Sequence, residues 1–336
     1  MPVKFLYHTD AHTTGRTPST RTDDYPSTIE MKLRYFFRVG HELGVDGFLN
    51  GGDTFDSPYT SSEYVTRIGR LFEEELKGKH MWGVLGNHEM IGWNPDTVKR
   101  TPIGVFKEFN DFFHILDKEP TTITGANGQK VKLSGVSSYA QLDRNIYDLD
   151  GNILQHRSRD YIVDEFDGTP EIRITHGFLS EKPILEDIPH TVIDEIYETK
   201  AAVTLTGHDH KGFPVTRLKY GLAYNPGGLS RVFASHSEMN RMPKFALVTI
   251  NDDGTPTVEP VMCKVAKDGI EVMDRSLLDE KKRKEALLAE GRKTMRELFE
   301  EIDIEGVDLL KILDQYQQQK QTRPEVVKEV KRRLHI

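Results

Sequence analysis

Apolar residues fall into short runs that end in polar, glycine-flanked turns, and these runs alternate with stretches of helical spacing. Residues 3–9, 47–50 and 81–85 read as buried strands. Between the first two, Ile29, Leu33, Phe36, Phe37 and Leu43 recur at helical intervals after a Ser27 or Thr28 cap and before Gly44. Ser61 or Ser62 opens a second such stretch that runs to residue 76. Strand, helix, strand, helix, strand implies βαβ units and a largely parallel sheet, with ligands gathered at its carboxyl edge.

A helix is expected over residues 102–113, followed by a hairpin of 121–124 and 130–133 turned at Asn127-Gly128. Residues 141–168 are polar and weakly periodic, and no element is assigned to them. Strands at 171–175 and 201–206 flank a helical pattern at 191–198. The β-like alternation of 215–218, 222–225, 245–250 and 257–265 implies a second sheet. From residue 268 the character changes to three charged amphipathic helices, at 277–302, 307–319 and 324–334, with Pro324 in the first turn of the last. The expected organisation is therefore an α/β domain over residues 1–267 and a helical extension over 268–336.

Composition narrows the class. The 336 residues hold 37% apolar and 29% charged side chains, enough for a full α/β core. No apolar run reaches the length of a membrane span. The start of the chain lacks a signal-peptide pattern, and the single cysteine, Cys263, excludes an internal disulfide framework and a thiolate metal cluster. A cytoplasmic protein with no membrane association is expected. A net charge of −8 argues against broad, sequence-blind attraction to nucleic acid.

The chemistry sits just past the strand ends. Five of them deliver Asp10 and His12, Asp53, Asn87 and His88, His176, and His208 and His210. Oxygen and nitrogen donors without sulfur suit hard or borderline divalent ions, and there are too many for one tetrahedral site. They suit two ions about 3.5–4 Å apart that share a carboxylate, the arrangement used for displacement at phosphorus. Asp53 is the natural bridge.

The motifs D-x-H, GGD, GNHE, HG and GHDH, in this order, resemble those of the calcineurin-like metallophosphoesterase superfamily over residues 3–265. The resemblance implies a two-sheet β-sandwich flanked by helices, a four-layer α/β/β/α fold. It implies Asp10, His12, Asp53 and His210 around one metal, and Asp53, Asn87, His176 and His208 around the other. It gives His88 the role of general acid or transition-state stabiliser. The expected ions are Mn²⁺, with Fe²⁺, Zn²⁺ or Co²⁺ as alternatives, and they would make a bridging hydroxide available near neutral pH.

Within that superfamily Gly52-Asp53-Thr54-Phe55-Asp56 resembles the SbcD-type DNA-repair exonuclease subunits, which also carry arginines after D-x-H, as Arg16 and Arg21 do here. The expected reaction is hydrolysis of DNA phosphodiesters, with Arg16, Arg21 or Arg231 contacting a further phosphate. A phosphatase or small-nucleotide phosphodiesterase would use the same site. The SbcD likeness also implies that the C-terminal helices dock an SbcC-type ATPase, with the chain then a metal-bound scaffold in a third reading. A homodimer is a further expectation. Asp56 reads as a loop residue supporting the ligands, and Glu89 as a likeness to protein phosphatases that the residues after Asp53 overrule.

Overall fold

A computed structural model describes residues 2–108, 110–125, 128–185, 187–300, 309–320 and 323–334. The chain divides into two compact units, residues 1–273 and 274–336.

The first unit begins with β1 (Val3–His8), whose side chains alternate between two cores. Val3, Phe5 and Tyr7 enter one and Leu6 the other. Helix α1 (Tyr25–Glu42) returns the chain to β2 (Gly47–Asn50), and α2 (Ser62–Leu76) leads to β3 (Met81–Gly83). Helix α3 (Pro102–Glu108) precedes β4 (Phe113–Ile115). The sequence pattern extended this helix to residue 113; it stops earlier, and Phe113 instead pairs as a strand with Met81. Helix α1 is capped by Asp24, whose carboxylate accepts from Ser27 N, with Pro26 in the first turn; the expected caps Ser27 and Thr28 lie inside the helix.

A second sheet is built from β5 (Thr121–Thr124) and β6 (Lys130–Val136). Asn127, expected in their turn, lies outside the described residues. After a small hairpin of β7 (Ile146–Tyr147) and β8 (Ile153–Gln155) comes β9 (Glu171–Thr175). A parallel pair follows, β10 (Leu179–Ser180) and β11 (Thr191–Val192). Residues 191–198, expected to be helical, are this strand and a single 3₁₀ turn at Ile193–Ile196. Then come β12 (Val203–Thr206), β13 (Phe213–Arg217) and β14 (Leu222–Asn225), a short helix α4 (His236–Asn240), β15 (Lys244–Ile250), β16 (Pro256–Met262) and α5 (Gly269–Val272).

The strand orders are β16-β15-β1-β2-β3-β4 and β13-β14-β12-β9-β6-β5. Strands β1 to β4 run parallel, while β15 lies antiparallel to β1 with Val3 opposite Ile250. The late strands β15 and β16 therefore join the first sheet and not the second, as their alternation had suggested. The pattern could not tell the two apart, because Ala246, Val248 and Ile250 enter the core between the sheets from either side. That core holds Phe5, Tyr7, Leu49, Leu133, Ile174 and Leu205. The helix-facing core packs Phe36, Phe37, Phe48, Phe72 and Phe106 edge to face. The fold is thus two multi-stranded sheets flanked by helices.

The sequence put the domain boundary at residue 268. Residues 268–273 belong to the first unit, tied by Thr22 N to Val272 O (3.1 Å) and by an Arg21–Met273 bridge. The second unit comprises α6 (Ser276–Glu300), α7 (Leu309–Lys320) and α8 (Pro324–Leu334). Here α8 packs against both α6 and α7, Arg323 pairs with Glu290, and Lys331 Nζ lies 2.9 Å from Asp314 Oδ1. No described helix is long and apolar enough to cross a membrane.

Candidate active site

Parallel strands deliver their loops to one edge, so residues far apart in sequence meet there. The loops after β1, β2, β3, β9 and β12 bring Asp10, His12, Asp53, His88, His176, His208 and His210 together, with Asn87 the chain neighbour of His88. The first two loops are stitched by Asp10 N to Gly52 O (3.0 Å) and His12 N to Asp53 O (2.9 Å). Asp10, His12, Asp53 and His208 all have positive φ, between 44° and 73°, a conformation that costs side-chain-bearing residues on the order of 1–3 kcal/mol each. The surrounding sheets hold them there. Gly86 is required, since a β-carbon on it would collide with Asp53 Oδ1.

Asp10, His12 and His210 form one donor group, and Asp53, His176 and His208 another. His12 Nε2 and His210 Nε2 converge to 2.9 Å. Asp53 Oδ2 lies 3.6 Å from His12 Nε2 and 3.4 Å from His176 Nε2, so one carboxylate oxygen faces both groups. These last separations exceed those of hydrogen bonds. Asp53 Oδ1 accepts from His88 N (2.9 Å), and Asp10 accepts from Thr9 Oγ1 (2.6 Å) and His208 N (3.1 Å). His176 Nδ1 donates to Gly51 O (2.6 Å), which leaves Nε2 directed at Asp53. Buried atoms His176 Nε2 and Asn87 Oδ1 have no hydrogen-bond partner, as lone pairs reserved for a cation would.

Electrostatics agree. Burial disfavours charge on His12, yet the carboxylates of Asp10, Asp56 and Asp53 outweigh it and raise its pKa to about 10. His176, equally buried, is raised to about 9, chiefly by Asp53. His208 is lowered to about 4 by burial and by the neighbouring His176. Asp53 is held below the usual carboxylate range by His176 and His12 in spite of its burial. Without a cation, the carboxylates draw protons onto buried imidazoles; the donor set and its charge therefore fit a dinuclear divalent site.

Two residues support the donor loops: Glu89, whose part was not read from the sequence, and Asp56, which was expected there without its partners. Glu89 is buried and accepts from Thr54 N (2.7 Å) and Gly86 N (2.8 Å), clamping the second and third loops; burial and the Asp53 charge raise its pKa to about 7. Asp56 Oδ1 stands 3.4 Å from His12 Nδ1, and the Asp56 carbonyl oxygen 2.7 Å from His88 Nδ1. Neither set of partners has a local sequence signal, because each joins loops more than thirty residues apart in the chain.

Two of the three arginines expected at a phosphate turn inward. Arg21 is buried, forked onto Asp23 at 2.8 and 2.7 Å and bonded to Arg231 O at 2.9 Å. Arg231 is buried too, donating to Arg241 O (3.2 Å) and Lys267 O. Both guanidinium groups brace loops from within and are closed to a phosphate. Arg16 alone of the three is exposed.

Residues 4–212, well over half of the chain, match the family of calcineurin-like phosphoesterases, and the protein belongs to that family. Its site is accordingly that of a metal-dependent phosphoesterase. No curated protein matches the sequence. Among solved structures it is similar to the protein TT1561 of Thermus thermophilus, at 12% identity and TM-score 0.47 over 78% of this chain and 100% of the other. A 5'-nucleotidase precursor from the same organism shares 16% identity at TM-score 0.44; 88% of this chain is covered but only 59% of that one. A dimetal phosphatase of Danio rerio shares 12% at TM-score 0.45, over 78% and 100%.

Proposed function

We propose that the protein is a two-metal phosphodiesterase that hydrolyses DNA in the manner of an SbcD-type nuclease subunit, with Mn²⁺ as its working ion. The observation that carries this reading is His88, set at the donor cluster by the carbonyl of Asp56 within the Gly-Asp-Thr-Phe-Asp segment. Asp10, His12, Asp53 and His210 would hold one ion, and Asp53, Asn87, His176 and His208 the other. When bound, such ions offset the phosphate's charge and activate the attacking water.

A carbonyl oxygen only accepts, so His88 Nδ1 carries a proton and Nε2 is the atom that exchanges one. As an imidazolium, His88 donates from Nε2 to the departing oxygen and returns to the neutral ring. The bond to Asp56 keeps it aimed throughout. In the second unit, Val326, Val327 and Val330 of α8 are buried, and this helical body is the part we assign to docking an ATPase partner. A small-nucleotide ester is the second reading, favoured by a cavity of about 430 Å³ beside His176 and His208.

The test is turnover of DNA oligomers, bis(p-nitrophenyl) phosphate and p-nitrophenyl phosphate with Mn²⁺, in wild type, His88→Ala and Asp53→Ala. DNA cleavage that disappears in both variants supports the nuclease. Turnover of the monoester alone sinks it.

A further inference from the structure

The cavity beside the metal-ligand cluster has a built wall. Its lining includes Trp93, Tyr139, Leu142, Phe178 and Pro189, together with Arg144, His176 and His208. Its volume, about 430 Å³, is in the range of small-molecule sites. Trp93 and Phe178 each lie close to the His208 ring, at centroid distances of 6.3 and 5.9 Å. Both rings therefore stand next to the donor cluster.

Two features show that the wall is held in place. Trp93 is 45% exposed and has φ 60°, a left-handed conformation rare for an aromatic residue, so a large apolar ring is presented to solvent at a conformational cost. Phe178 is fixed from behind. Its N–H donates to Asp143 Oδ2 (2.7 Å), and the other Asp143 oxygen accepts from Tyr161 and Thr191 hydroxyls, both at 2.7 Å. Asp143 is itself buried. Arg159 Nη1 then ties down Arg144 O (2.8 Å) in the same loop. This is more order than a solvent-exposed loop requires.

We infer that this cavity receives the base of the nucleotide adjoining the scissile phosphate, stacked on Trp93 and Phe178. The inference rests on the phosphoester reading of the neighbouring site and names the part of the substrate that reading leaves open. A planar, weakly polar ring matches the aromatic, mostly apolar lining, and stacking tolerates any base because each has a π face. A simple phosphomonoester of an aliphatic alcohol leaves the aromatic wall empty.

The experiment compares calorimetric binding of dAMP and 2-deoxyribose 5-phosphate to the Mn²⁺-loaded full chain. The two share phosphate and sugar and differ by the base. Ordinary base–aromatic stacking corresponds to dAMP binding tighter by roughly 5- to 150-fold. Trp93→Ala and Phe178→Ala should each pull that ratio toward one while leaving deoxyribose 5-phosphate affinity and the melting temperature unchanged, and Trp93→Phe should restore most of it. Equal affinities in the wild type, or a ratio untouched by Trp93→Ala, overturn the inference. A base preference that survives without any DNA hydrolysis defeats the nuclease reading and leaves the cavity assignment standing. If neither compound binds, both fall.

Discussion

His88 Nδ1 lies 2.7 Å from the carbonyl oxygen of Asp56, so the imidazole nearest the metal-ligand cluster is oriented by backbone and not by a side chain. Substituting Asp56 therefore leaves that bond in place, and the two residues separate experimentally. His88→Ala should lower kcat by about 10²–10⁴-fold with bound metal retained. Asp56→Ala should keep His88 aimed but remove the carboxylate 3.4 Å from His12, weakening metal binding about 10–100-fold. Steady-state kinetics with parallel metal analysis checks both.

Asp53 faces both donor groups, and Gly86 makes room for it. Asp53→Asn should strip most of the bound metal. Gly86→Ala, though it removes no ligand, should do nearly the same by displacing the Asp53 carboxylate. Elemental analysis of the purified variants decides this; a fully loaded Gly86→Ala protein would contradict it.

Glu89 uses both carboxylate oxygens on backbone amides. Glu89→Gln turns an NH₂ toward one of those amides and leaves a buried donor unpaired, at a cost of about 1–3 kcal/mol. Thermal unfolding should show a lower Tm even in metal-free protein.

Lys32 is fully buried, its ammonium 2.9 Å from Leu229 O, and burial together with Arg231, Arg21 and Arg241 lowers its pKa to about 7. Its folded value lies below its ordinary value of 10.5, so between these pH values the unfolded chain holds the extra proton and stability rises with pH. Lys32→Met should melt higher than wild type near pH 7.5, and the gap should narrow as pH approaches 10. Melting curves across that range give the answer.

Every donor of the metal cluster and both large cores belong to residues 1–273. A chain ending at Met273 should fold cooperatively and keep wild-type turnover of bis(p-nitrophenyl) phosphate. Circular dichroism and that assay on the shortened chain test it.

Much of the fold and the metal cluster was legible because its signals are local. Apolar runs marked β1 and β2, alternation marked β14, helical spacing marked α1 and α2, and each candidate metal donor stands within a few residues of a strand's end. Where the signal was not local, reading failed. The arginines looked open because loop position says nothing of burial; Arg21 turns inward to a carbonyl 210 residues away, and Arg231 to one 36 residues away. Residues 141–168 show no period, and Asp143 there is held by Tyr161 within the segment and by Phe178 and Thr191 beyond it.

By itself, then, the sequence determined which residue types stand at the strand ends and hence the family and the candidate donors. Tertiary structure decided which sheet β15 joins, that one Asp53 oxygen faces two donor groups, that Asp56 and Glu89 hold the loops, and that an aromatic cavity opens beside His208. The division has one physical cause. Propensity and periodicity act over a few residues, whereas burial, charge proximity and hydrogen bonding are settled only when remote segments pack.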